Sequence, residues 1–296
     1  MNTPPPDLAS LPGLPSGRAL FLSTFAAHLK PPPEVDVGEW AARYRYVAAE
    51  SGSPYPGEWR RELVPYLPEI ETCLSFHHPA RVVTFKKSAQ VGGSEVGVNM
   101  LGSTAHQAPA PVLIVLPTWD EAKKYNKVKL QPTINATPVL RRAISEIKSR
   151  DEESSTALKK QFRGGFAIIT GANSSAGLQM ISARVRLYEE ICEYPPEAGD
   201  RGGPIEQGEA RGKAWDARRP KTFLVSTPGL KGACLITDYF EASDQRRYYV
   251  PCPHCGAFQI LVLENLRWDS PARPHGAHFV CASAGCVIRL PRQTIQ

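Results

Sequence analysis

The stretch ARVVTFKKSAQVGGSEVGVNMLGSTAHQ, residues 80–107, joins a β-branched run to a segment with helical spacing of apolar residues. Between them, KKSAQVGGSE nearly matches the phosphate-binding pattern G-x-x-x-x-G-K-[ST]. Gly92 and Ser94 occupy the second glycine and hydroxyl positions, but Gly93 replaces the lysine and Lys87 the first glycine. A strand, a glycine-rich turn and a helix, its start capped by Ser94, present backbone N–H groups to an anion. The order predicts a phosphate site whose lysine has moved to position 87; the alternative is an ordinary glycine-rich turn.

Further apolar segments predict a sheet. Four later stretches are typical of strands: PVLIVLP (111–117), GGFAIITGAN (164–173), RVRLYEEI (184–191) and KTFLVSTPG (221–229). TWDEAKKYNKVKLQPTI (118–134) is typical of a helix with Thr118 as its N-cap. This alternation predicts an α/β fold, a mostly parallel sheet flanked by helices. The Gly-, Pro- and charge-rich segment 194–220 predicts a surface loop, or a contact with nucleic acid or a neighbouring subunit.

Length and composition suit a globular protein. The 296 residues allow one large domain plus a small module, and 42% hydrophobic content is ordinary. The net charge of +6 permits a polyanionic partner without requiring one. No apolar run is long enough to span a membrane. We expect a proline-rich arm at 1–35, a main domain at 36–245 and a cysteine-rich module at 246–296.

Acidic and hydroxyl side chains follow two of the predicted strands. Glu189 and Glu190 end one strand, where the carboxyl edge of a parallel sheet faces a nucleotide. In nucleotide hydrolysis Glu189 would hold the Mg²⁺ shell and Glu190 would polarise the attacking water. Ser226 and Thr227 end another strand and are placed to sense a terminal phosphate. The alternative is solvated side chains at two strand ends.

Cysteine spacing predicts a metal site. The pattern is C-x2-C, 25 residues, then C-x4-C, formed by Cys252, Cys255, Cys281 and Cys286. It matches a structural zinc site of four thiolates, with the alternatives of a site without metal or a ligand supplied by His254, His275 or His278. Cys73, Cys192 and Cys234 stand alone and are expected to be separate thiols. The spacing favours a reducing compartment.

Two basic segments, DARRPK (216–221) and DQRRYYVPCPHC (244–255), suit either a nucleic-acid backbone or a solvated surface.

Taken in order, these motifs resemble those of the bacteriophage terminase large subunit of the lambda-like GpA type. The resemblance runs from about residue 38 to 290, and GANSSAGL and SDQRRYYVPCPHC are its most specific phrases. It implies an additional-strand P-loop ATPase, with a zinc-ribbon-like module, that drives viral DNA into an empty procapsid. It also implies that the chain acts in the host bacterial cytoplasm, without a membrane. The implied partners are double-stranded DNA, the terminase small subunit, the portal of the procapsid and further copies of the chain.

The resemblance also assigns roles to residues. Lys87 would contact the phosphates of ATP, and Ser94 and Glu189 would hold Mg²⁺. Glu190 would be the catalytic glutamate, and Ser226 and Thr227 the coupling motif. The remaining nucleotide contacts would be Ser88, Gln90, Gly92 and Gly93 in the loop and Tyr55, Trp59 and Tyr66 near the adenine.

The chain departs from the family pattern in three side chains and in length. Gln90 and Gln179 stand where arginines are expected, and Glu189 stands where aspartate is usual, which predicts a weakened ATPase. The family continues into a nuclease domain, so we expect this chain, a fragment or a truncated prophage product, not to cut DNA. The rival interpretation is a non-catalytic remnant or a zinc-stabilised DNA-binding module. A helicase-like ATPase is disfavoured, since no second motor domain follows.

Overall fold

A seven-stranded β-sheet forms the centre of the computed structural model, which describes residues 16–29, 35–146, 157–230, 232, 234–268 and 277–289. The described strands are β1 (Tyr46–Val47), β2 (Gly57–Glu58), β3 (Val82–Lys86), β4 (Val112–Leu116), β5 (Ile144–Glu146), β6 (Ala157–Phe162), β7 (Gly165–Gly171), β8 (Val185–Glu189), β9 (Lys221–Ser226), β10 (Val250–Pro251), β11 (Phe258–Gln259), β12 (Leu266–Arg267), β13 (His278–Val280) and β14 (Val287–Ile288).

The central sheet has the strand order β3-β9-β8-β4-β7-β6-β5. The first five strands pair in parallel, so their carboxyl ends meet at one edge of the sheet. β9 lies between the strand that enters the phosphate loop, β3, and the strand that ends in the acid pair, β8. This arrangement confirms the predicted additional-strand α/β fold. Strands β6 and β5 extend the sheet with an antiparallel edge that the sequence did not predict.

Strand β4 shows why these segments fold as central strands. All five of its residues are buried, and its side chains alternate between two hydrophobic clusters, one on each face. Val112, Ile114 and Leu116 pack on one face. Leu113 and Val115 pack on the other. An uninterrupted apolar run is therefore required, because both faces are covered.

The described α-helices are α1 (Gly17–Leu29), α2 (Val37–Tyr44), α3 (Leu67–Leu74), α4 (Gly93–Gln107), α5 (Trp119–Tyr125), α6 (Gln131–Ala136), α7 (Pro138–Ala143), α8 (Ser175–Gln179), α9 (Pro204–Ala210) and α10 (Leu235–Glu241). The helix predicted at 118–134 is α5 and α6, joined by a π-helical turn at Asn126–Leu130. Thr118 is its N-cap, in a capping box with Glu121. None of the described helices is both long and apolar enough to cross a membrane.

The prediction that Ser94 caps α4 is wrong. The helix begins at Gly93, and its N-cap is Gly92 in the left-handed conformation. Ser94 thus lies in the first turn, and its hydroxyl points to a carboxylate of β8 instead of capping the helix.

The surface loop predicted at 194–220 is instead packed structure. It contains α9 and a 3₁₀ helix at Lys213–Arg218, and Ile205 and Gln207 of α9 are buried. Its anchor is Glu209, which accepts two hydrogen bonds from buried Arg186 of β8, at 2.7 and 3.0 Å. A buried guanidinium needs such a partner, and Gly-Pro-rich composition does not reveal it.

Cys192 and Cys234 are not the separate thiols expected from the sequence. They form a disulfide with a Cα–Cα distance of 5.4 Å, whereas Cys73 is free. Cys192 follows β8 and Cys234 precedes α10. These segments are distant in sequence but adjacent at the same sheet edge, so spacing alone did not relate them.

Candidate functional site

The loop between β3 and α4 is open to an anion. Ser88 and Gln90 are exposed, and Gln90 has a positive φ of 61°. Gly92 follows with φ of 86°, and a Cβ there would lie 2.9 Å from Cδ1 of Leu67. The loop leads into the 15-residue helix α4, whose first backbone N–H groups face the loop.

The side chain of Lys87 fills the room that a side chain at position 93 would need. A Cβ on Gly93 would lie 2.6 Å from Cε of Lys87 and 2.7 Å from Cγ2 of Val225. Beyond this crossing, Nζ of Lys87 donates to Oε1 of Glu190 at 2.8 Å and to Oγ1 of Thr227 at 3.2 Å. Lys87 therefore reaches the centre of the sheet edge by passing over Gly93, which occupies the usual lysine position of the pattern.

Glu189 is held inside the protein. It is 2% exposed, and its Oε2 accepts a hydrogen bond from Oγ of Ser94 at 2.9 Å. Its Oε1 is buried without a hydrogen-bond partner among the described residues. Burial raises the pKa of Glu189 to about 7, although the Ser94 hydroxyl acts in the opposite direction. The charges of Lys129 and Lys87 also act to lower this pKa but do not outweigh burial, and Glu189 forms no salt bridge among the residues that the structure describes.

Glu190 lies in the left-handed region, with φ of 52°. Such a backbone is costly for a glutamate and is found where function requires it. The turn aims its carboxylate at the tip of β9, where the N–H of Thr227 donates to Oε2 at 3.0 Å and the Ser226 hydroxyl at 3.4 Å. Burial raises its pKa, but the hydrogen bonds from Lys87 and Thr227 outweigh burial and lower it overall. Glu190 is thus a carboxylate at neutral pH.

The residues around Glu189 fit a magnesium ion. A hydroxyl and a carboxylate are the hard oxygen donors that Mg²⁺ takes alongside substrate phosphates. The buried Oε1 of Glu189 lacks a partner, and Gly97 of α4 leaves it room, since a Cβ there would be 3.0 Å away. Ser94 and Glu189 are therefore a suitable pair for the ion.

The three predicted adenine contacts have different surroundings in the structure. Tyr66 donates from its hydroxyl to the carbonyl of Val91 in the loop, at 3.2 Å. Trp59 packs under the guanidinium of Arg45, 4.8 Å from the ring centroid. Tyr55 is half exposed and packs against Arg60 of its own segment. The structure brings Tyr66 to the loop, whereas Tyr55 shows no such contact among the described residues.

Gln179 does not lie near the loop. It ends α8, which follows β7, and four strand spacings of about 4.8 Å separate β7 from β3. Its amide accepts a hydrogen bond from Arg201 at 2.8 Å and donates to Gln207 at 3.1 Å.

The four predicted cysteines meet in a cluster near the end of the chain. Their sulfurs lie within 4.8 Å of one another, and Cys255 and Cys281 are 3.7 Å apart. A tetrahedral zinc with Zn–S bonds of about 2.3 Å places sulfurs about 3.8 Å apart, so the cluster fits the ion. Each cysteine pair is bent by a glycine of positive φ, Gly256 at 72° and Gly285 at 66°. No histidine joins the cluster among the described residues; His275 lies outside them.

Several residues near the site were not predicted from the sequence. A cavity of about 340 Å³ opens beside Ser94 and the acid pair, and Tyr125 and Lys129 form part of its wall. Lys129 also lies 3.7 Å from Glu95, the residue after Ser94. Lys129 is one of four lysines in 118–134, and no spacing distinguishes it from the others.

Residues 53–294 match the family described as phage terminase large subunit gpA, ATPase domain. The chain is 29% identical over 260 residues to the terminase large subunit of Enterobacteria phage P21 and 28% identical over 270 residues to that of Escherichia phage lambda. These alignments cover 84% and 88% of this chain but only 39% and 40% of the relatives.

The fold is also similar to that in the crystal structure of the HK97 bacteriophage large terminase, with a TM-score of 0.55 and 12% sequence identity. That similarity covers 70% of this chain and 41% of the HK97 chain.

Proposed function

Because this chain belongs to the family of phage terminase large subunit gpA ATPase domains, we propose that its loop and acid pair hydrolyse ATP to drive double-stranded DNA into a procapsid. The observation that carries the proposal is the meeting of three separate motifs at one sheet edge. Lys87 of the loop contacts Glu190 after β8 and Thr227 after β9, and Ser94 contacts Glu189.

Each residue has a role that follows from its position. Lys87 and the N–H groups at the start of α4 neutralise the phosphates. Ser94 and Glu189 would hold Mg²⁺, which when bound adds positive charge beside the phosphates. Glu190, a carboxylate at neutral pH, orients the attacking water and accepts its proton.

Nucleotide binding changes the contacts of Glu190. Lys87 binds Glu190 directly, so a phosphate that enters the site competes for the same ammonium. Once Lys87 turns to the phosphate, Glu190 keeps the hydrogen bonds from the tip of β9. Ser226 and Thr227 are therefore connected to the nucleotide through their hydrogen bonds to Glu190, which suits a coupling role.

DNA is the proposed polyanionic partner. In the basic segment 244–255, Arg246 is paired with Glu69 and Asp244, while Arg247 and Tyr249 are exposed. An exposed arginine and tyrosine suit a nucleic-acid backbone and its bases. The small subunit, the portal and further copies of the chain are the other proposed partners, in the host bacterial cytoplasm.

The deciding experiment measures Mg²⁺-dependent ATP hydrolysis by the purified chain with and without double-stranded DNA. We expect DNA-stimulated turnover, and we expect Lys87→Ala to lower it by at least about 100-fold, because the phosphate loses its buried cation. Lys86→Ala is the matched control, since Lys86 lies against the ring of Phe240 and away from the acid pair. Its turnover should stay within about twofold.

Two results would count against the proposal in different ways. Full turnover by Lys87→Ala would contradict the phosphate-binding role of Lys87. A folded, zinc-loaded wild-type chain that hydrolyses no ATP but binds DNA would support the rival, a zinc-stabilised DNA-binding module.

A further inference from the structure

A π-helical turn shapes the wall of the cavity beside the acid pair. Helix α5 passes into this turn at Asn126–Leu130 before α6 continues. A π turn adds one residue to the hydrogen-bonded ring, which rotates the following side chains by about 100° relative to an α-helix. Such turns are rare and often lie at functional sites. Here Lys129 is half-buried at the cavity while Lys127 of the same turn is exposed.

The cavity has the volume of a small ligand site and opens beside the proposed magnesium ligands. Its volume of about 340 Å³ is at the lower end of ligand pockets, which begin at roughly 300 Å³. Its charged and hydroxyl-bearing wall residues are Ser94, Glu121, Lys124, Tyr125, Lys129, Glu189, Glu190 and Glu193. The proposed magnesium ligands and the proposed catalytic glutamate thus open into the same space as Lys129.

Glu95, the present partner of Lys129, does not need this lysine to balance its charge. Nζ of Lys129 lies 3.7 Å from Oε1 of Glu95, beyond hydrogen-bond length. The other oxygen of Glu95 is bound by Arg45, whose side chain is 1% exposed and which also donates to the Glu95 carbonyl at 3.0 Å. Lys129 can therefore leave Glu95 without creating an unpaired buried charge, the costly outcome for an ion pair.

The loop alone supplies little positive charge to this space. Within residues 86–94, Lys87 points to the acid pair, Lys86 lies against Phe240, and Gln90 is neutral. A triphosphate brings more negative charge than a single lysine and Mg²⁺ neutralise, and stabilising that charge is central to phosphoryl transfer. Of the two lysines at the cavity wall, Lys129 is half-buried and Lys124 is exposed, so Lys129 is placed to supply a second ammonium.

We propose that Lys129 is a second phosphate-binding lysine, which contacts the terminal phosphate and lets the site distinguish ATP from ADP. This inference rests on the proposed ATP hydrolysis and extends it. Lys87 approaches the phosphates from the loop, and Lys129 approaches them from the π-helical turn. ADP lacks the phosphate that reaches this wall, so Lys129 contributes to binding of the triphosphate alone.

The test compares nucleotide affinities of wild type, Lys129→Met and Lys129→Gln, measured by calorimetry with Mg²⁺ and either ADP or the non-hydrolysable analogue AMP-PNP. Losing one charge-assisted contact should weaken AMP-PNP binding about tenfold in both variants and leave ADP affinity within about twofold. The kcat should also fall about tenfold, and Lys129→Arg, which keeps the charge, should recover most of both losses.

Lys127→Met, from the same turn, is the matched control and should bind both nucleotides like wild type. A structural role for Lys129 would weaken both nucleotides equally, and this result or unchanged AMP-PNP affinity would overturn the inference. If wild type hydrolyses ATP and Lys129→Met has the same ratio of AMP-PNP to ADP affinity as wild type, only this inference fails. If wild type neither binds nor hydrolyses ATP, the proposed function fails with it.

Discussion

At position 93, the lack of a side chain decides where the lysine of the loop can lie. We expect Gly93→Ala to push Lys87 away from Glu190 and Thr227, because the new Cβ would lie 2.6 Å from Cε of Lys87. Buried Val225, 2.7 Å away on the other side, leaves the Cβ no room to shift. ATP turnover should fall by at least about tenfold, with a loss of stability of about 1–3 kcal/mol from overpacking.

Steady-state ATPase and urea unfolding measure these two effects. Gly17→Ala is the matched control, since a Cβ there meets nothing within 4 Å. Wild-type turnover in Gly93→Ala would show that Lys87 does not need this path.

The meeting of Lys87, Glu190 and Thr227 at one sheet edge was predictable from the sequence, but their detailed geometry was not. Lys87, Glu190 and Thr227 each follow a strand, and parallel strands bring their carboxyl ends to one edge. The left-handed backbone of Glu190 and the crossing of Lys87 over Gly93 depend on contacts between segments more than 90 residues apart, as the Lys87–Glu190 pair shows. A linear pattern does not contain such contacts.

At the scale of elements, a buried carboxyl joins helices α3 and α4. Oε1 of Glu71 accepts from Nδ2 of Asn99 at 2.6 Å, while Oε2 is buried without a hydrogen-bond partner among the described residues. Burial raises the pKa of Glu71 from 4.5 to about 7, although Asn99 acts to lower it. The folded state therefore binds this proton more tightly than the unfolded state does.

Because Glu71 binds its proton more tightly in the folded state, the stability of the protein falls as the pH rises. The contribution of Glu71 to stability is fully present below pH 4.5 and is lost as pH rises through about 7. We expect Glu71→Gln, whose amide oxygen still accepts from Asn99, to stabilise the protein increasingly between about pH 5 and pH 8. The gain should reach on the order of 3 kcal/mol.

Urea unfolding of the two proteins at both pH values measures this gain. Exposed Glu62 provides the control, since Glu62→Gln should leave the free energy of unfolding nearly unchanged at both values. A gain for Glu71→Gln that is equal at both pH values would contradict the titration.

Elements were predictable where apolar runs or caps define them. Strands β4 and β9 are buried along their whole length, and the sequence shows this as unbroken or nearly unbroken runs. Strand β6, which lies between β7 and β5, reads ALKKQF, too polar to be recognised without its partner β7. The π-helical turn and α9 depend on tertiary contacts, such as the Arg186–Glu209 pair, which override local composition.

At the scale of the whole molecule, the described part of the cysteine module, residues 250–268 and 277–289, has almost no apolar core of its own. Its buried cluster consists of Cys252, Cys281 and Ile288, with Phe279 and Cys286 packed against it. A core this small needs a metal to fold, so we propose that zinc holds residues 250–289 together. The ATPase domain has its own two clusters and should not depend on the ion.

Chelation of the purified chain tests this. We expect one zinc per chain, and its removal should unfold 250–289 while hydrogen exchange in strands β4 and β8 and nucleotide binding persist. Cys73→Ser, outside the cluster, should keep its zinc, whereas Cys255→Ser should lose it. Protected amides in 250–289 after complete zinc removal would contradict the proposal, and the predicted domain boundary at 245–246 would then lose its support.

The crossing of Lys87 over Gly93 also constrains the history of the loop. A lysine at 93 cannot be added while Lys87 lies across that position, because Val225 closes the other side. If Lys87 is replaced first, the loop of the intermediate has no lysine at either position to meet the phosphates. Every route of single substitutions between the two forms of the loop therefore passes through an ancestor whose loop is crowded or has lost its lysine. Once a lineage has adopted the lysine at 87, selection for activity keeps it there.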